Sequence, residues 1–185
     1  MKFLKSTPNA ILIPSINIDK SYIVGFSDAS FGKLHNGGSQ GGDILFLVDD
    51  EMRAAVLSWS SNRLKRVVRS TLSAETLQFC NTADTGFFLN SLLSEIFCKK
   101  SDAFLPTVNF TDSLSLYEQA GTYSVVNDKR LRVDISAIRE SIRNSELTIK
   151  WVSKEHMIAD SLTKKGASPN LIMTTVGKGY INTQI

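Results

Sequence analysis

The sequence predicts an α/β fold: a mixed five-stranded sheet, three antiparallel strands then parallel strands, flanked by helices. Three observations carry that expectation. The stretch Tyr22 to Ser30 is apolar on both faces at period two, as in a strand covered on both sides. The periodicity then runs in the order three strands, a long helix, a strand, two helices, a strand and closing helical segments. Two of the strand patterns end in an aspartate, Asp28 and Asp112.

In chain order, residues 1–20 read as an N-terminal arm in which Ala10 to Ile13 can add a short edge strand. In YIVGFSDAS, Tyr22, Val24, Phe26 and Asp28 share one face, while Ile23, Gly25 and Ser27 share the other. The following GKLHNGGSQGG holds five glycines. It lacks the Gly-Lys-Ser/Thr of a phosphate-cradling loop and reads as a flexible hairpin connection. Ile44 to Val48 and Ala55 to Trp59 are strands around the turn Asp49-Asp50-Glu51.

Leu72 to Phe97 carries the longest helical pattern. Phe79, Ala83, Phe87, Leu93 and Phe97 recur at helical spacing, and Phe88, Leu92 and Ile96 form an adjoining stripe. Ser70 or Thr71 caps its start, which places Glu75 in the first turn, where an acid also complements the helix dipole. Asp102 to Pro106 breaks the pattern. Thr107 to Thr111 is the fourth strand, with Asp112 at its end, where an N-cap of the helix Ser113 to Ala120 is the alternative role. After the loop Gly121 to Asn127, Lys129 to Asn144 is amphipathic through Leu131, Ile135, Ile138 and Ile142. Leu147, Ile149 and Trp151 alternate as the fifth strand. His156 to Lys165 is a short helix carrying Asp160, and Pro169 to Val176 closes the pattern. The domain is expected over residues 21–166, with a C-terminal helix and tail over 167–185.

A chain of 185 residues with 42% apolar and 21% charged residues fits one globular domain with a sizeable core. A net charge of +3 does not by itself indicate nucleic acid. Its distribution is more informative: NRLKRVVRS holds Arg63, Lys65, Arg66 and Arg69 without an acid. That run is either a solvated turn or a footprint for a phosphate backbone. The two cysteines, Cys80 and Cys98, form no disulfide framework. On one helix they would lie about 27 Å apart, which fits a reducing, intracellular compartment. No apolar run is long enough to span a membrane. The start does not read as a signal peptide, because Pro8 and Pro14 flank a short apolar patch.

The acids Asp28, Glu75, Asp112 and Asp160 thus fall at a strand end, a helix start, a second strand end and a short helix. Clustered carboxylates raise one another's pKa values and need cations to stay ionised. Oxygen-only ligation selects Mg²⁺ or Mn²⁺ over zinc, and two such ions are suited to phosphodiester cleavage.

FSDAS at Phe26 to Ser30, STLSAET at Ser70 to Thr76, FTDSLSLYE at Phe110 to Glu118 and IADSLTKK at Ile158 to Lys165 stand in the order of a known family. With SQGGDILFLVDD, DKRLRVDISAIRESI and WVSKEHMIADSLTKKGAS, they resemble the ribonuclease H domain of copia-type LTR retrotransposon polyproteins, over Ile11 to Ser168. The resemblance implies cleavage of the RNA strand of an RNA–DNA hybrid with two Mg²⁺ or Mn²⁺ ions. Asp28 would bridge both ions, Glu75 and Asp112 would help hold one, and Asp160 would hold the ion that activates water. It further implies recognition of the hybrid by groove shape, 2′-hydroxyls and phosphates, with Arg63, Lys65, Arg66 and Arg69 as backbone contacts. The reverse transcriptase part of the same polyprotein is the implied partner. The implied locations are the cytoplasm, in a virus-like particle, and the nucleus.

Asp112-Ser113 replaces the Asp-Asn of many copia-type members and resembles the retroviral and cellular pattern. His156 lies four residues before Asp160, too close for the loop histidine of cellular enzymes, and His35 has no assigned role. An integrase core places its glutamate after the second aspartate, whereas Glu75 precedes Asp112. The alternative function is a catalytically inactive nucleic-acid-binding or structural domain. The nuclease reading requires the four acids to converge, with none locked against a permanent cation.

Overall fold

The computed structural model describes residues 11–97, 105–122 and 125–182. Five strands form one sheet in the order β3-β2-β1-β4-β5. Central β1 (Tyr22–Ser30) pairs antiparallel with β2 (Gln40–Val48), which pairs antiparallel with β3 (Ala54–Arg63). On its other side β1 pairs parallel with β4 (Thr107–Thr111), and β4 with β5 (Thr148–Trp151). Parallel neighbours need long crossovers. Here α1 (Thr71–Ile96) joins β3 to β4, and α2 (Leu114–Gly121) with α3 (Lys129–Arg143) joins β4 to β5. One-turn α4 (Asp160–Thr163) and α5 (Asn170–Lys178) follow β5. The mixed sheet and the element order agree with the sequence expectation.

The alternation in β1 sets the layers. Val24 and Phe26 enter a core cluster with Val152, Met157, Ile158, Ala159, Val176 and Ile181. Ile23, on the opposite face, packs with Leu45 and Leu47 against Leu89 and Leu93 of α1. A third cluster joins Phe79 and Ala83 of α1 to Leu116, Leu131, Ile135 and Ile138. Each fully buried side chain of this size contributes about 1.5–3 kcal/mol, so the two-sided burial of β1 anchors the strand that carries Asp28.

Four details depart from expectation. Gly41 and Gly42 lie within β2, not in a flexible connection. A Cβ on Gly42 would come within 2.8 Å of both Leu162 and Thr163, and one on Gly41 within 2.7 Å of Leu64. The missing side chain at Gly42 therefore lets α4 sit directly on the sheet. The helix expected from His156 to Lys165 is instead a 3-10 turn, Lys154–His156, followed by α4. Met157, Ile158 and Ala159 between them are drawn into the core and are nearly inaccessible, which interrupts the helix. The α1 stripe Phe88, Leu92 and Ile96 is exposed. Finally, residues 11–13 form no strand, and Leu12 N–H donates to the Val176 carbonyl at 2.9 Å, tying the arm to α5. Ala10, Cys98, most of the break at Asp102–Pro106, and two residues of the loop Gly121–Asn127 lie outside the described residues.

Among the described residues, no helix is long and apolar enough to cross a membrane. Cys80 is half-buried on α1, and burial, reinforced by Asp134 and Asp84, pushes its thiol up to about 12.

Candidate active site

The parallel register aligns the two strand-end aspartates. Phe26 pairs with Phe110, and their rings stack at 4.9 Å with planes 12° apart. Two residues beyond each ring, on the same parity, are Asp28 and Asp112. The Trp151 indole N–H donates to the Asp112 carbonyl at 3.2 Å, so β5 holds this strand end. Asp112 does not cap the next helix: Ser113 does, its hydroxyl accepting from Leu116 N–H at 3.4 Å. The Asp112 carboxylate is thereby left for other work.

Glu75 arrives from α1. Ser70 caps that helix by accepting from Ser73 N–H at 3.1 Å. Glu75 is the fifth helical residue, past the first turn where it was expected, so the dipole role does not explain it. Carboxylate oxygens of Asp28, Glu75 and Asp112 lie within 4.8 Å of one another. Asp28 and Glu75 are buried and Asp112 is half-buried. Burial first, then the charges of Asp28 and Asp112, pushes the Glu75 carboxyl up to about 9. Burial, then Asp28, raises Asp112 above the usual carboxylate range.

Asp160 is not in this three-acid cluster and joins it through a lysine. Lys164 reaches Asp28 Oδ1 at 3.3 Å and bonds Asp160 Oδ1 closely. Thr163 Oγ1 donates to Asp28 Oδ2. Burial lowers the Lys164 ammonium, but Asp160, Asp28 and Asp112 outweigh it and push the group up to about 12. The side chain is 33% exposed and reaches in from the surface. Asp28, Glu75, Asp112, Lys33, Lys154 and Lys164 line one cleft of about 420 Å³.

These residues fit a hard divalent cation. The donor set is all carboxylate, and Glu75 Oε2 is buried without a hydrogen-bond partner among the described residues. Lys164 is ion-paired to Asp28 and Asp160, whereas Lys33 and Lys154 line the same cleft without an ion pair to these acids. Glu75 and Asp112 therefore have no ion-pair partner among the described residues, which favours further cation binding.

The basic run is divided. Arg63 ends β3, while Lys65, Arg66 and Arg69 lie in the segment before α1. Arg63, Lys65 and Arg69 are exposed. Arg66 is paired to Asp134 of α3, with Nη1 donating to Oδ1 at 3.2 Å and Nη2 to Oδ2. His156 Nδ1 lies 3.0 Å from Ser153 Oγ and secures the 3-10 turn, while His35 sits in the glycine-rich connection outside any regular element.

Sequence reasoning missed Thr163, Lys164, Lys154 and Trp151 as neighbours of the acids. The Asp160–Lys164 spacing of four was a usable signal, because i and i+4 face each other on a helix. It also missed Asp43, a buried β2 acid raised by burial and accepting from Ser60 and from Gln78 at 3.3 Å.

No protein-family model matches the sequence. Among solved structures, ribonuclease H1 from Halobacterium salinarum superposes with a TM-score of 0.54 at 16% identity, over 82% of this chain and 97% of that one. LC11-RNase H1, isolated from compost and solved in complex with an RNA/DNA hybrid, gives 0.53 at 16% identity, over 76% and 93%. The architecture is that of a ribonuclease H-like domain. In sequence, the chain is 32% and 31% identical over 114 residues to the retrovirus-related Pol polyproteins from transposons RE2 and RE1 of Arabidopsis thaliana. The match covers 58% of this chain, and it spans only 7% of the length of those relatives. Over that portion, the chain is related to the Pol polyproteins of copia-type retrotransposons.

Proposed function

We propose that the chain cleaves the RNA strand of RNA–DNA hybrids during retrotransposon reverse transcription, beside the reverse transcriptase portion of the same polyprotein. The observation carrying this reading is the buried Asp28–Glu75–Asp112 cluster with its unpartnered Glu75 Oε2. Asp28, Glu75 and Asp112 would hold one cation, and Asp160 with Asp28 would hold a second. Two Mg²⁺ or Mn²⁺ ions, when bound, activate the attacking water and stabilise the leaving oxygen of a phosphodiester. The chain's own work is positioning: the β1–β4 register sets Asp28 level with Asp112, and α1 brings Glu75 between sheet and solvent. Arg63, Lys65 and Arg69 contact phosphates electrostatically, and Arg66 contributes while holding its loop to α3 through Asp134. The hybrid complex of LC11-RNase H1 supports this substrate class by fold likeness alone.

The competing reading, an inactive nucleic-acid-binding domain, draws on Lys164, whose charge already compensates part of Asp28 and Asp160. The deciding experiment incubates the purified chain with labelled RNA–DNA hybrid, duplex RNA and duplex DNA, with and without Mg²⁺ or Mn²⁺. Metal-dependent release of short RNA from the hybrid alone is expected. Intact hybrid at all metal concentrations, with binding retained, would establish the inactive reading.

A further inference from the structure

Lys164 stands between two of the acids assigned to metal, and its arrangement has the features of an exchangeable ligand. Its ammonium reaches Asp28 Oδ1 and Asp160 Oδ1 together. Those are the two carboxylates that flank the second cation place, whereas Glu75 and Asp112 complete the first. The anchoring is one-sided: Asp28 is 1% exposed, but the lysine is 33% exposed and follows one-turn α4 as its C-cap residue. Rotation of its flexible stem takes the ammonium to the mouth of the cleft without disturbing the backbone. The two halves of the site therefore differ. The Glu75–Asp112 half presents under-compensated carboxylates and an unpartnered oxygen. The Asp160 half is already compensated by a cation of this chain.

We propose that Lys164 is a displaceable internal counter-ion, holding Asp28 and Asp160 together in the metal-free protein and yielding its place when a second divalent cation binds. This inference rests on the two-cation reading of the site. It makes cation binding sequential: the Glu75–Asp112 half fills first, and the Asp160 half fills only at concentrations that expel the ammonium. The expelled ammonium, still tethered at the cleft, becomes a contact for a substrate phosphate. Displacement is coupling in the thermodynamic sense, because the lysine contact and the second cation each weaken the other.

The test is Mn²⁺ titration, by calorimetry and by paramagnetic resonance, of the parent and of Lys164→Met, which keeps the stem and removes the charge. Lys178→Met, on exposed α5 surface, controls for loss of one positive charge. The parent and the control should bind two Mn²⁺ with unequal affinities. In Lys164→Met the weaker site should tighten by about tenfold, while the metal-free thermal midpoint drops by about 2–4 °C. Equal affinities in parent and Lys164→Met overturn the lysine's role and leave the metal site standing. Absence of Mn²⁺ binding in both proteins overturns the inference and the enzyme reading together. Binding by Lys164→Met alone would make the lysine a permanent counter-ion that is never displaced in the parent, and overturns both the inference and the enzyme reading.

Should that variant not fold, the parent answers by itself. A lysine ammonium held by two carboxylates exchanges slowly with water and gives a ¹⁵N-detected NMR signal. Saturating Mg²⁺ should abolish the Lys164 signal, and a signal unmoved by Mg²⁺ overturns the proposal.

Discussion

At one end of the β1–β2 pair, Asp49 is completely buried, yet each of its oxygens is served. Asn17 N–H donates to Oδ2 and Glu51 and Arg53 N–H to Oδ1, all at 3.1 Å, while the Arg53 guanidinium donates at 2.8 Å. Burial alone would raise this carboxyl, but those donors together outweigh it and hold it below its ordinary value. At the other end Glu75 is also buried, with two acids beside it and one oxygen unpartnered, and it is pushed up to about 9. The same desolvation thus meets opposite surroundings. Donors turned inward make Asp49 a structural pin that joins the N-terminal arm to the β2–β3 turn. Acids turned toward one another leave the Asp28 cluster with a charge repulsion that a bound cation would relieve.

The sharpest way to break this contrast is to remove one acid from each end. Asp28→Asn is expected to lower hybrid cleavage by about a thousandfold, close to 4 kcal/mol of transition-state stabilisation, with the circular dichroism of the parent. Asp49→Ala is expected to retain metal-dependent cleavage but to lose about 2–4 kcal/mol of stability by urea unfolding, because its backbone donors lose their acceptor. If both variants lose activity equally, the two ends do not differ as argued.

A second test uses pH. The folded pKa of Asp49 lies below its unfolded value, so its contribution is present above the ordinary carboxylate range and is lost as pH falls through the folded value. Glu75 has the opposite sign. Between its ordinary value of 4.5 and about 9 the metal-free fold keeps a proton that the unfolded chain has released, so stability falls as pH rises across that window. Glu75→Gln should flatten this slope and raise the metal-free thermal midpoint at pH 8 by about 2–4 °C. An unchanged slope would assign the pH dependence to other groups.

The smallest expected effect concerns the basic segment. Neutralising Arg63, Lys65 or Arg69 one at a time should flatten the log–log salt dependence of hybrid binding by about 0.9 for each phosphate that side chain engages. Arg66→Ala should flatten it less, since that charge is already shared with Asp134. Fluorescence anisotropy across a salt series measures both, and slopes equal to the parent's in all four variants would remove the segment from the interface.

How much was legible varies along the chain. The β1 alternation and the α3 stripe were readable because burial on a regular element repeats at the period of that element. The helix around Asp160 was misread because Met157, Ile158 and Ala159 enter the core from a segment too short to show a period. Gly41 and Gly42 looked like loop residues, since a glycine required by a close neighbour and one required by a turn are the same letter. Phe88, Leu92 and Ile96 carry helical spacing, but spacing alone does not say which stripe the sheet covers.

By itself the sequence determined the element order, the central position of β1 and the acids worth watching, because alternation, capping and apolar spacing are local properties of the chain. Only the tertiary structure decided that Asp28 and Asp112 stand level, that one Glu75 oxygen is left without a donor, and that Lys164 reaches two acids at once. Those facts depend on strand register and on which helix meets which face. Both are set by long-range packing, where residues far apart in the chain exclude water together.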